Sequence, residues 1–203
     1  MRTRAFSRGF TLVELMITVS IIGVLAAIAT FGISKYMHVA NASEAKLVVG
    51  SVSRAAALAY EGERAASQIV GEGSNSSAAS TVLCEAALPV PAAVTQVAGR
   101  KYQPNTTTGS DFETGSPVTG WRCLRFATAQ PIYYQYQYNK GAGYVTAGMP
   151  GAPVLTANSF EAAALGDLDG DGLKSTFARG GTINLTTGAL TMATHVFIDK
   201  ETE

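Results

Sequence analysis

The stretch Gly9-Phe10-Thr11-Leu12-Val13-Glu14-Leu15-Met16 decides the fold of this chain. A short head with three arginines and no acidic residue precedes it, and the nineteen residues from Leu15 to Ile33 carry no charge. At ~1.5 Å of rise per residue, a helix of that length matches the hydrocarbon core of a bilayer, which is about 30 Å thick. The sequence therefore predicts a membrane-embedded helix with one charge, Glu14, at its start.

The segment Arg8–Met16, followed by the run IIGVLAAIA at 21–29, resembles the N-terminus of type IV pilins and pseudopilins. The resemblance covers about the first quarter of the chain. It implies cleavage by prepilin peptidase between Gly9 and Phe10, N-methylation of the new Phe10 amine, and polymerisation into a helical filament. The implied partners are copies of the chain or related pilins, the peptidase and the inner-membrane assembly machinery.

The charge pattern of the N-terminus agrees with such processing. The basic head favours the cytoplasmic side of the membrane. No small-x-small cleavage site follows the apolar run, which is also too long for the core of a secretory signal. We therefore expect the cut to precede the run, so that membrane lipid holds the mature chain before assembly. An ordinary signal anchor with a chance glutamate is the alternative.

Glu14 is the predicted assembly residue. A carboxylate in an apolar layer is costly and is by default a functional hypothesis. One helical turn separates it from the amine that cleavage would create at Phe10. In the family, the partner is the N-terminus of a neighbouring subunit. Because pairing relieves much of the cost of a buried charge, the resemblance implies that Glu14 checks the register of assembly.

Composition limits the function of the remaining chain. Its 203 residues suit one helix and one modest domain, and with 15% charged residues and no net charge the sequence shows no basic surface for nucleic acid. We expect an α+β pilin fold, in which the outer half of the helix packs on an antiparallel sheet of about four strands. The predicted parts are a leader (1–9), a membrane or filament-core helix (10–34), an amphipathic continuation (35–70) and a globular head (71–203).

The helix should continue beyond the membrane segment. Val48, Val52, Ala55 and Ala59 recur on one helical face, and the first proline comes only after Leu88, so we expect the helix to end near Gly62, with Gly71 and Gly73 as later stop candidates. Many type IV pilins carry two helix prolines at places that are Phe31 and Ser51 here. The family's helix kinks are therefore in question for this chain.

The head is predicted to hold a loop over 71–120 and a sheet over 121–203. Trp121 to Phe126 and Ile132 to Tyr138 alternate with period two, and the second segment places three tyrosines on one face. That row is either a binding or conductive surface or ordinary sheet packing. Further strands are expected near Ser159–Leu165, Ser175–Ala178, Thr182–Thr186 and Ala189–Ile198.

The two cysteines, Cys84 and Cys123, lie in the part that the resemblance places outside the cell membrane. An exported domain favours a disulfide, which would join the loop to the first strand. Two reduced, buried thiols are the alternative.

The segment Gly166-Asp167-Leu168-Asp169-Gly170-Asp171-Gly172 resembles the start of an EF-hand calcium loop. Its closing glutamate is missing, because the twelfth position is Ala178. The hypotheses are weak calcium binding by the three aspartates or a tight turn capped by their side chains. No other cofactor is expected. The segment also resembles, more loosely, the C-terminal heads of certain pilins of the myxobacterial type.

No enzyme motif is apparent, and His38 and His195 lack metal-ligand spacing. The sequence predicts a structural subunit of a type IV pilus used in motility, adhesion or DNA uptake. It would reside in the inner membrane with its head periplasmic, and then in a cell-surface filament. A pseudopilin of a type II secretion system is the alternative within the family, and a membrane-anchored hydrolase or lectin head is the alternative from another class.

Overall fold

In a computed structural model, the protein is described at residues 9–62, 64–65 and 79–201. The described chain forms two compact units, one ending at His38 and the other beginning at Val39. The architecture is α+β, with a long N-terminal helix followed by an antiparallel sheet. This confirms the predicted fold class. Most of the predicted leader, and the stop candidates Gly71 and Gly73, lie outside the described residues.

Helix α1 runs from Leu12 to Glu61, one residue short of the predicted end. The predicted amphipathic continuation to residue 70 is therefore too long, since the short strand β1 (Arg64–Ala65) follows. Phe31 and Ser51 both lie inside the unbroken helical span, where the family prolines would interrupt the backbone hydrogen bonds.

In the first unit, the apolar side chains of α1 face outward. Leu15, Ile22 and Ile28 are each 60% exposed or more, and none of the most apolar 18-residue window is buried. The only hydroxyl residues of the uncharged run, Thr18, Ser20 and Thr30, donate to carbonyls three or four residues earlier at 2.9, 2.8 and 2.6 Å. Helical backbone and satisfied hydroxyls meet the hydrogen-bonding demand of a lipid environment.

In the second unit, one face of α1 packs into the core. Its fully buried apolar residues are Ala42, Ala45, Val49, Val52, Ala56 and Tyr60. Of the predicted face, only Val52 belongs to this set, whereas Val48, Ala55 and Ala59 are partly buried beside it. The buried face is thus shifted by one residue at three of these four positions, to Val49, Ala56 and Tyr60.

The main sheet has six strands instead of about four. They are β3 (Ala87–Val90), β4 (Gln135–Lys140), β5 (Ser159–Gly166), β6 (Ser175–Ile183), β7 (Leu190–Met192) and β8 (Phe197–Asp199). Their order is β3-β4-β5-β6, and β7 and β8 both pair with β6. A separate pair joins β1 to β2 (Ala79–Ser80).

Three sequence predictions about strands are wrong. Strand β3 lies in the predicted loop over 71–120, and β6 is one strand where two were expected. The predicted strand at Ala189–Ile198 is divided into β7 and β8, which pair with separate parts of β6. An alternation of apolar and polar residues with period two predicts an extended segment. It does not predict where one strand ends or how many other strands pair with it.

The predicted strand at Trp121 is also wrong, because residues Gly120–Leu124 form the short helix α2. Trp121 is fully buried there, with its ring centroid 4.9 Å from that of Phe112, and its Nε1 donates to the Leu88 carbonyl at 2.8 Å. Burial of this indole and the bond at Cys123 outweigh the local alternation.

Both faces of the sheet are covered. Phe160, Ala162 and Ala164 of β5 belong to the core that includes α1, whereas the alternating residues Glu161 and Ala163 are buried on the opposite face. There Glu161 accepts hydrogen bonds from Val145 and Thr146, in the loop before β5. A carboxylate without solvent is thus satisfied by donors of a covering loop.

Candidate functional site

The N-terminal signal begins at the start of α1. Gly9, Phe10 and Thr11 precede the helix, and the Phe10 side chain is 87% exposed. The Gly9–Phe10 bond therefore lies outside the helix. Cleavage and methylation there stay predictions.

Glu14 and Thr11 form a reciprocal cap. The Thr11 backbone N–H and hydroxyl donate to Glu14 Oε2 at 2.8 and 2.9 Å, and the Glu14 N–H donates to the Thr11 hydroxyl at 3.2 Å. This is a capping box, which satisfies donors at a helix N-terminus. Its signal is the spacing Thr11-x-x-Glu14, which the sequence analysis missed. All its atoms belong to Thr11 and Glu14, so loss of residues 1–9 would leave it intact.

The cap leaves one carboxylate oxygen available. Both Thr11 donors end on Oε2, and no described residue donates to Glu14 Oε1. The predicted partner of Glu14 is an ammonium at Phe10, of the same or a neighbouring subunit. The geometry lets Glu14 hold its own helix start and still offer Oε1 to such a cation.

The predicted disulfide between Cys84 and Cys123 is present. Both cysteines are buried, and the bond joins the segment before β3 to α2. The expectation that it reaches the first strand is wrong, because Cys123 is helical.

The three aspartates of the calcium hypothesis lie in the turn between β5 and β6. One oxygen from each of Asp167, Asp169 and Asp171 lies within 4.8 Å of the others, with Asp167 buried and the other two exposed. Asp167 accepts from the N–H groups of Gly170 and Gly172 at 2.7 and 3.2 Å.

The two exposed aspartates cap backbone as well. Asp169 Oδ1 accepts from the Asp171 N–H at 3.3 Å, and Asp171 Oδ1 accepts from the Leu173 N–H at 2.7 Å. These bonds are those of the predicted tight turn. These hydrogen bonds do not test calcium binding, which stays a prediction.

The tyrosine row is part of the core. Tyr134, Tyr136 and Tyr138 are buried and share a cluster with α1. The Tyr136 hydroxyl donates to Glu44 Oε1 at 2.9 Å. A row buried between helix and sheet acts in packing, the second of the two predicted interpretations.

Glu44 was missed by the sequence analysis. It lies four residues before Val48, on the face that the period of Val48 and Val52 predicts to be apolar. Desolvation raises the pKa of its carboxyl, although hydrogen bonds from Tyr136 and the Tyr133 N–H and the charge of Lys101 act in the opposite direction. The signal in the sequence was a glutamate one helical turn before Val48, at a position where the apolar face predicts a buried residue.

Within the described residues, the aspartate turn is the only group of three or more His, Cys, Asp or Glu side chains close enough to share a metal ion. His38 and His195 do not belong to it.

Comparison with known proteins identifies the N-terminus. The model of the prokaryotic N-terminal methylation motif matches residues 4–30, which include the Gly9–Phe10 bond, the Thr11–Glu14 cap and most of the uncharged run. No curated protein and no solved structure matches the chain significantly. The chain carries the N-terminal methylation motif that is the signal of type IV pilins and pseudopilins.

Proposed function

We propose that this protein is a structural subunit of a type IV pilus, which polymerises through α1 into a helical filament. The observation that carries the proposal is the apolar, solvent-facing start of α1 directly behind the methylation motif. Such a surface needs lipid or other apolar helices around it. A head-to-tail contact between identical subunits that does not close into a ring repeats into a helical filament.

The subunit passes through two environments. Before assembly, α1 anchors it in the bacterial inner membrane, with the basic leader cytoplasmic and the head outside. Prepilin peptidase then cuts between Gly9 and Phe10, and the Phe10 amine is methylated. Assembly machinery transfers the mature chain into a filament at the cell surface, where neighbouring helices replace lipid.

Glu14 directs this transfer. Alone in an apolar layer its charge is unfavourable, and an ammonium of a neighbouring Phe10 relieves that cost. The oxygen that Thr11 leaves free, Oε1, is the acceptor for this contact. A subunit in the wrong register leaves both charges unpaired.

Mass spectrometry of the protein from membranes and filaments tests the processing. We expect a chain that starts at Phe10 and is heavier by one methyl group. Gly9→Ala is the matched control, because it changes only the residue before the cut and should leave the full-length chain in the membrane. A wild-type chain that begins at Met1, or one cut after residue 33, would contradict the proposal.

A secretion pseudopilus uses the same N-terminal signal. The length of the head and its many Ser and Thr residues favour a surface pilus. Comparing the amount of this protein in sheared filaments with that in membranes distinguishes the two, since a pseudopilin stays with the cell envelope.

A further inference from the structure

Glu44 connects α1 to the sheet through one oxygen. The Tyr136 hydroxyl and the Tyr133 N–H donate to Glu44 Oε1 at 2.9 and 3.2 Å. Among the described residues, none donates to Oε2. A carboxylic acid protonated at Oε2 would therefore keep both hydrogen bonds, because neither donor uses that oxygen.

The groups around Glu44 do not neutralise it directly. Lys101 is the nearby cation, and its Nζ lies over the Tyr133 ring, 4.8 Å from the ring centroid. Farther along α1, Lys46 is engaged with Glu201. In the described part of the chain, no ion pair compensates the Glu44 charge.

The remaining titratable neighbours are phenols. Tyr134 and Tyr136 are buried, and the negative charge of Glu44 adds to the desolvation that raises the pKa of each hydroxyl. Both stay neutral at physiological pH. Among these groups, Glu44 is thus the one whose pKa lies closest to acid pH, above its ordinary value of 4.5.

We propose that Glu44 is a proton-responsive contact of the head, which holds α1 more firmly against the sheet when it is protonated. Protonation removes the cost of a partly buried charge and leaves both bonds to Oε1 in place. The attraction to Lys101 is lost, but burial outweighs it as the first cause acting on this carboxyl.

The sign of the pH dependence follows from the raised pKa of Glu44 in the folded protein. Between the ordinary value of 4.5 and the raised one, the folded state binds the proton more strongly than the unfolded state does. The stabilisation is therefore complete below the ordinary value and is lost as the pH rises through the folded one. Lowering the pH through the raised pKa should therefore tighten the contact between helix and sheet.

Thermal unfolding of the full-length protein in detergent tests the proposal, with Trp121 fluorescence as the probe of the head core. Glu44→Gln keeps the shape and an oxygen acceptor at Oε1 without the charge. We expect this variant to melt a few degrees above the wild type near pH 7.5. The difference should shrink near pH 4.5, because a carboxyl whose pKa is raised above this value is by then mostly protonated.

Glu61→Gln is the matched control, since it makes the same change at an exposed position of the same helix. It measures how much of the stability difference comes from removing a negative charge from α1 in general, and it should melt closer to the wild type than Glu44→Gln does near pH 7.5. A Glu44→Gln protein that melts below the wild type near pH 7.5, or whose difference is equal at both pH values, overturns the proposal.

Carbon NMR of the Glu44 carboxyl in the wild-type protein gives a second, independent test. A titration midpoint above 4.5 is expected, and one at or below this value overturns the proposal even if the variant fails to fold.

Discussion

At the scale of single residues, three buried, half-buried or capping carboxylates make specific hydrogen bonds that join parts of the chain. Glu14 caps the start of α1, Glu161 holds a covering loop and Glu44 joins α1 to the sheet. Glu14 and Glu44 each accept through a single oxygen, which the oxygen of a glutamine amide could replace, whereas Glu161 accepts through both. At Glu14 and Glu44, replacing glutamate by glutamine therefore separates the role of the charge from that of the acceptor.

The aspartate turn is open to the same approach. If Asp167, Asp169 and Asp171 bind calcium, millimolar calcium should raise the melting temperature of the full-length protein by several degrees over chelator, by mass action. With the closing glutamate absent, we expect a dissociation constant on the order of 10⁻⁴ to 10⁻³ M. Differential scanning fluorimetry in detergent measures the shift.

Asp169→Asn with Asp171→Asn is the control, because asparagine Oδ1 can still accept the N–H groups of Asp171 and Leu173. The double variant should lose the calcium shift and gain stability in chelator, since repulsion among the carboxylates falls. Wild-type melting that is indifferent to calcium would mean that the motif is only a turn.

At the scale of elements, small residues set how closely the layers approach. A Cβ atom on Gly166 of β5 would lie 2.4 Å from the Tyr134 ring, and one on Gly181 of β6 would lie 2.5 Å from the Phe160 ring. These glycines therefore leave the space that the two aromatic rings occupy. The sequence shows them as glycines in strands, which usually indicate a bulge or a close approach.

We predict that Gly166→Ala destabilises the head by about 1–3 kcal/mol, because the added methyl group overpacks the Tyr134 side. Gly50→Ala, in the part of α1 that packs on the head but with nothing within 4 Å of its new Cβ, should instead stabilise the helix by up to about 1 kcal/mol. Thermal melting of both variants measures the difference. Equal effects would mean that backbone propensity, and not packing, decides at Gly166.

At the scale of the whole molecule, the chain has an N-terminal unit with an exposed apolar helix and a head with its own core. The proposed assembly depends on the first of these. The capping box gives Glu14 a second role. A Glu14 variant could fail to assemble because the start of α1 frays, and not because the charge is missing.

We predict that Glu14→Ala inserts into the membrane normally but is strongly impaired in entering filaments. Glu14→Gln keeps the capping-box acceptor while removing the charge. If charge pairing with Phe10 drives assembly, both variants should be impaired to a similar degree in a sheared-filament assay. Assembly by Glu14→Gln with failure of Glu14→Ala would assign the role to capping, and normal assembly by both would leave Glu14 without a role.

The sequence alone determined the character of the N-terminal part of this protein. An uncharged run of nineteen residues and a glutamate at its start are read directly, since length, hydropathy and helical spacing are local properties. The end of α1 near Gly62 and the aspartate turn followed from equally local signals, whereas the disulfide was expected from the exported compartment that the resemblance implies. The contact that caps Glu14 was also readable, from the spacing of Thr11.

Only the tertiary structure decided how the head is built. Trp121 is helical because its indole is buried against Phe112 and its N–H reaches the Leu88 carbonyl, and neither contact is local in sequence. Likewise, β6 is long enough to pair with two short strands, and Glu44 is held at a position that its pattern marks as apolar. In each case, contacts between residues far apart in the chain outweigh local preference, and no period within one segment encodes them.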